Sequence, residues 1–160
     1  MRISILGNSG SGKSTRAHKM ALASGAAVLD LDTIYWNPSY VAVKRGDSDV
    51  FDDLDRFCNR DNWIAEGCYG NLIERTFHWR PELIFLNPGE AACLANCRNR
   101  PWEPHKYASK AEQDLKLDML LAWVSEYYVR TDDMSLKRHR ELFDAYDGPK
   151  REITTLEDLG

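Results

Sequence analysis

The chain has 160 residues, enough for one compact domain that buries about two thirds of the surface its unfolded chain exposes, with little left for a second. Apolar residues are 43% and charged residues 29%, and the formal net charge of -4 removes any global argument for nucleic acid or an anionic membrane as partner. The N-terminal apolar run is too short for a signal peptide and no stretch approaches the roughly 20 apolar residues of a membrane span, so a cytoplasmic protein is expected.

Residues 2–6 predict a short buried strand, β-branched and closed by a glycine. A glycine-rich loop follows, then a helix over 14–23 with Ala17, Met20 and Ala21 on one face. Residues 26–31 predict a second strand, and 33–48, with Tyr, Trp, Pro and Gly, a loop or short irregular helix. Val50, Phe51, Leu54, Phe57 and Cys58 recur at helical spacing within 49–60. Residues 63–65 begin a third strand and 83–86 form a fourth, bracketed by Pro81 and Pro88; 91–97 predict a helix. Residues 98–110 hold Arg98, Arg100, Lys106 and Lys110 among prolines and aromatics and read as an excursion from the core. A single long helix is expected over 111–128, another over 136–146, and a fifth strand over 152–154, with 156–159 too short to build much. Strands alternating with helices imply a parallel sheet covered on both faces.

The four cysteines, Cys58, Cys68, Cys93 and Cys97, form no C-x-x-C pair and read as free thiols. Cys93, Cys97 and His105 lack the fourth ligand of a structural zinc site.

Between strand one and helix one, Gly7, Asn8, Ser9, Gly10, Ser11, Gly12, Lys13, Ser14 and Thr15 contain G-x-x-x-x-G-K-[ST]. Glycines let successive backbone N–H groups curl inward toward phosphate oxygens, and the helix start adds its unpaired N–H groups and positive dipole end. Lys13 places a charge on the outer phosphates, and the Ser14 hydroxyl suits magnesium. The pattern predicts binding of ATP with Mg2+. Ligands of an open α/β sheet sit beyond the carboxyl ends of the strands, where Asp30 and Asp32 close strand two and Glu66 closes strand three. Asp30 or Glu66 is expected to support the metal with Ser14, and Asp32 to orient an acceptor hydroxyl. Arg98 and Arg100, on a segment that closes as a lid, are expected to neutralise the transferring group, and Arg130 likewise, with Arg138, His139 and Arg140 as weaker candidates.

GNSGSGKST (7–15), LDLDTIYW (29–36), WIAEGCYG (63–70) and LIFLNP (83–88) together resemble the small P-loop kinases of the adenylate kinase and shikimate kinase group, and more closely their bacterial adenylate-kinase-related topology modulation proteins. The resemblance implies an α/β P-loop NTPase fold, a three-layer α/β/α sandwich. Its five-stranded parallel sheet would have the order 2-3-1-4-5, in one domain spanning 1–160. The acceptor-binding region would lie near 33–62 and the lid near 98–110. Asp30 and Asp32 look like the D-x-D of shikimate kinases, Glu66-Gly67 like the Asp-Gly of nucleotide kinases, and Arg130 like a phosphate-binding arginine of adenylate kinases. Cys68-Tyr69-Gly70 stands where adenylate kinases continue Phe-Pro-Arg, and the glycine triplet of shikimate kinases is absent. The expected activity is therefore phosphoryl transfer from Mg-ATP to a nucleotide or other small-molecule acceptor, with no membrane or nucleic-acid partner. Two rivals remain open: an NTPase switch, which lacks the Asn-Lys-x-Asp guanine motif, and a non-catalytic ATP-dependent regulator that touches DNA through 98–110.

Overall fold

The computed structural model describes residues 1–39, 42–104 and 106–155, so His105 and residues 156–159 lie outside the described residues. The strands are β1 (Arg2–Gly7), β2 (Ala27–Asp30), β3 (Trp63–Gly67), β4 (Glu82–Leu86) and β5 (Lys150–Ile153). They pair in parallel in the order β2-β3-β1-β4-β5, as expected. The helices are α1 (Lys13–Ser24), α2 (Asp32–Tyr35), α3 (Asp47–Cys58), α4 (Gly70–Thr76), α5 (Glu90–Arg98), α6 (Lys110–Leu115), α7 (Leu117–Glu126) and α8 (Leu136–Ala145). Among the described residues no helix is long and apolar enough to cross a membrane.

Successive side chains of a strand point to opposite faces, and here both faces are covered. Ile3, Ile5, Ile64, Ile84 and Ile153 pack with Ala17 of α1. The alternate positions Leu6, Ala65 and Leu83 pack with Leu54 of α3, Leu72 of α4 and Leu142 of α8. One polar pair sits inside that layer, where the hydroxyls of Ser4 and Thr76 satisfy one another at 2.7 Å. Burying each such Ile or Leu contributes about 1.5–3 kcal/mol, which makes the isoleucine-rich strands the main source of stability.

Two elements differ from the sequence reading, while 33–48 is the expected loop with a short helix. The helix expected over 111–128 is two, because the chain turns at Lys116, whose N–H reaches back to Glu112, Gln113 and Asp114. The segment 33–48 holds the short α2 and an antiparallel bridge between Trp36 and Lys44. Helix α4 was not expected at all.

Parallel pairing places all strand carboxyl ends at one edge of the sheet. The register sets Asp30 beside Glu66, and Leu6 beside Gly67. The loop that follows Gly7 and the carboxylates of β2 and β3 therefore meet over the same edge.

Candidate active site

The loop leaves β1 at Gly7 and enters α1 at Lys13. Gly10 and Gly12 have φ of 77° and 93°, left-handed values that cost other residues about 1–2 kcal/mol. At Gly10 space is also lacking: a Cβ would lie 2.3 Å from the Cys93 carbonyl oxygen and 2.8 Å from Cys97 Sγ. Helix α5 thus rests directly on the loop, and Asn96 Nδ2 donates to the Gly10 carbonyl at 2.8 Å. Asn8 is buried and anchors the loop from below, donating to the Val124 carbonyl at 3.0 Å and accepting from the Ser9 N–H at 2.8 Å. Lys13 Nζ folds back to the Asn8 carbonyl at 2.8 Å. Ser9, Gly10, Gly12, Lys13, Ser14 and Thr15 line a cleft of about 610 Å³, while Gly7, Asn8 and Ser11 are buried. That volume suits a nucleotide-sized ligand.

The three acidic candidates line the same cleft. Ser14 Oγ donates to Glu66 Oε1 at 2.5 Å. Burial raises the Glu66 pKa, opposed by Lys13 and reinforced by Asp30. Burial, and next Asp32, raise that of Asp30. Asp32 differs. Burial pushes its pKa upward, but the Lys106 ammonium and the Tyr69 hydroxyl outweigh it and the net direction is down. Tyr69 Oη donates to Asp32 Oδ1 at 2.5 Å, and Lys106 Nζ lies 3.1 Å from Oδ2. Neighbouring carboxyls whose environments drive their pKa values apart are a basis for dividing roles: Asp32 is the one whose ionised form its partners favour. Among the described residues no group of three or more His, Cys, Asp or Glu is arranged to hold a metal unaided. Magnesium keeps most of its waters and takes one or two carboxylates beside substrate phosphates, so the Ser14–Glu66 pair next to Asp30 is a donor set that fits it.

The cations are distributed differently from the expectation. Arg100 lines the cleft, and its Nη1 pairs with Glu103 Oε2 at 3.0 Å. Lys106, within 98–110, is the residue that meets the carboxylates. Burial penalises its ammonium, but Asp32, Asp30 and Glu103 more than compensate and raise its pKa. Arg98 is exposed at the end of α5 and is not part of the cleft lining. Arg130 is not either: its guanidinium donates to the Trp123 carbonyl at 3.0 Å and the Met134 carbonyl at 2.9 Å, and stacks 3.4 Å from the Trp123 ring centre. It ties the Trp123 carbonyl, in the last turn of α7, to the Met134 carbonyl before α8, and its Nε lies 3.3 Å from Asp132 Oδ1. Arg138 pairs with Glu74 at 2.6 Å and Arg140 with Glu152 at 2.6 Å, while His139 is buried.

Sequence reasoning did not assign Tyr69, Glu103 or Lys106 to the site. Tyr69 stands two residues beyond β3 and stacks on Tyr35 at 4.1 Å, and its hydroxyl also accepts from Trp36 Nε1 at 2.9 Å. Its position after a strand end was the available signal. Lys106 lies 74 residues from Asp32 in the chain, and only the fold brings them together.

No protein-family model matches the sequence, and no curated protein matches it. Solved structures do. A sugar kinase from Janibacter sp. is similar with a TM-score of 0.55 and 15% identity, over 98% of this chain and 88% of that one. Shikimate kinase from Aquifex aeolicus gives 0.53 and 17%, over 95% and 85%. The YorR protein from Bacillus subtilis, solved in complex with phosphorylated GDP, gives 0.52 and 13%, over 94% and 84%. The narrower likeness to topology modulation proteins has no counterpart among these three. The chain has the fold of the small P-loop kinases.

Proposed function

We propose that this protein transfers the γ-phosphoryl group of Mg-ATP to a hydroxyl of a small acceptor, within a single domain whose acceptor region spans 33–62 and whose lid spans 98–110. One observation carries the reading. A single cleft joins the loop residues Lys13 and Ser14 to Asp30, Asp32 and Glu66, with Arg100, Glu103 and Lys106 lining it from the lid. The kinase fold supports it.

In this reading the loop N–H groups and Lys13, once released from the Asn8 carbonyl, hold the β- and γ-phosphates. Bound magnesium, on Ser14 with Asp30 or Glu66, supplies charge neutralisation. Asp32 accepts the hydroxyl proton as the acceptor oxygen bonds to the γ-phosphorus, the bond to the β–γ bridging oxygen breaks, and ADP leaves. Arg100, freed from Glu103, faces the equatorial oxygens; of the three expected arginines it alone lines the cleft. The four unpaired cysteines suit a reducing cytoplasm.

The test is ADP release from Mg-ATP with and without an acceptor panel, for the native chain and for Lys13→Ala. Acceptor-dependent release that falls about 100-fold or more in the variant, with an unchanged melting temperature, supports the reading. Release at the full rate from Lys13→Ala would sink it.

A further inference from the structure

Among the described residues the acceptor end of the cleft carries three carboxylates, Asp30, Asp32 and Glu103, and two cations, Arg100 and Lys106. Both are paired in the structure, and Arg100, once it leaves Glu103, is taken by the transferring phosphoryl group in the reading above. Lys106 Nζ lies 3.1 Å from Asp32, 3.6 Å from Glu103 and 3.9 Å from Asp30, and Arg100 Nη1 lies 3.0 Å from Glu103. Lys13, the third cation of the lining, belongs to the phosphate loop. Cations behind the site are committed as well: Arg130 to two carbonyls, Arg138 to Glu74, and Arg45 to Asp53 at 2.8 Å and the Ile34 carbonyl at 2.9 Å. A phosphate or carboxylate on the acceptor needs an unpaired guanidinium or ammonium, and here it would meet a surplus of negative charge.

What the site offers suits hydroxyl groups. Carboxylate oxygens accept from them, and Lys106 donates to them. Trp36 is 37% exposed and its Nε1 shares the Tyr69 hydroxyl with Asp32, so an indole edge lies one hydrogen-bonded oxygen away from that carboxylate.

We propose that the phosphoryl acceptor is an uncharged polyhydroxylated compound, with no phosphate or carboxylate of its own. One hydroxyl meets Asp32, and its neighbours meet Asp30 and Lys106. The proposal rests on the kinase reading above. On transfer the acceptor oxygen gains the phosphoryl group, Asp32 takes the proton and ADP carries away the bridging oxygen. The product is anionic for the first time in an acidic site, which favours its release.

The experiment compares matched acceptors that differ only in charge: a nucleoside against its monophosphate, and hexoses, pentoses and cyclic polyols against their carboxylated counterparts. ADP release and product mass are read with Mg-ATP. The uncharged members should exceed their anionic partners in kcat/KM by about tenfold or more. Glu103→Gln, which leaves Arg100 without its carboxylate, should raise kcat/KM for the anionic members several-fold. Faster transfer to an anionic member by the native chain overturns the substrate class and leaves the kinase reading standing. An unchanged charge preference in Glu103→Gln also counts against the class. No transfer to either member of any pair, while ATP still protects the fold against heat, overturns both readings.

Discussion

The floor of the cleft is held by a buried histidine, and this makes a quantitative prediction about pH. His139 is fully buried, with Nε2 2.8 Å from the Cys68 carbonyl oxygen and Nδ1 2.8 Å from Tyr127 Oη. A carbonyl only accepts, so Nε2 carries the proton, Nδ1 accepts from the tyrosine, and the ring is neutral. Burial, countered by the Cys68 carbonyl and reinforced by Lys13, Arg130 and Arg138, lowers its pKa from 6.5 to about 3. The unfolded chain therefore binds this proton first. The contribution to stability is complete above pH 6.5 and is lost as pH falls toward the folded value. Each unit of difference is about 1.4 kcal/mol, so the loss between pH 7.5 and 5 is about 2 kcal/mol. That is a large share of a typical 5–15 kcal/mol. Asp30 and Glu66, with raised pKa values, act with the opposite sign, but equally in native chain and variant. Urea denaturation at pH 7.5 and pH 5 should show His139→Gln, whose amide can still donate to Cys68, losing about 2 kcal/mol less than the native chain. Parallel losses in the two would refute the buried neutral ring.

Other perturbations have equally direct readouts. Gly10→Ala meets both a left-handed backbone and the Cys93 carbonyl, so it should cost about 2 kcal/mol or more and abolish protection by ATP, measured as a melting shift with and without nucleotide. Tyr69→Phe removes the donor to Asp32 and strands Trp36 Nε1, for a loss of about 1–3 kcal/mol at pH 7 by urea denaturation. Because that donor favours ionised Asp32, the acid limb of acceptor phosphorylation should move to higher pH in the same variant. ATP at about 100 times its Kd should stabilise the native chain by about 2.7 kcal/mol, and Lys13→Ala by much less.

What the sequence made legible follows from where each element finds its partners. The phosphate loop was readable because its chemistry is local: Gly10, Gly12 and Lys13 act within a few residues of one another, between a strand and a helix. The central strands β1 and β4 were readable because burial on both faces makes them largely apolar runs, whereas β5, Lys-Arg-Glu-Ile, carries only one buried residue. Helix α4 was not, because its start carries no local cap. Its Gly70 N–H bonds to the Asp133 carbonyl at 3.2 Å and its Asn71 N–H to Asp133 Oδ1 at 2.8 Å, some 60 residues away in the chain. Gly70 itself is required there, since a Cβ would lie 2.7 Å from that carbonyl.

The site divides in the same way. Asp30, Asp32 and Glu66 could be placed at strand ends from the pattern alone. The opposite directions of their pKa shifts could not, because the lowering at Asp32 depends on Tyr69 and Lys106, which reach it from other segments. The arginines went the other way. Arg130 sits in a motif that suggests phosphate binding, yet its guanidinium donates to the Trp123 carbonyl in the last turn of α7 and to the Met134 carbonyl before α8. An arginine's role depends on its acceptors, and among the described residues the two cations that line the acceptor end of the cleft, Arg100 and Lys106, are both paired with carboxylates. That pairing is the ground for the proposal of an uncharged acceptor, and Glu103→Gln tests it.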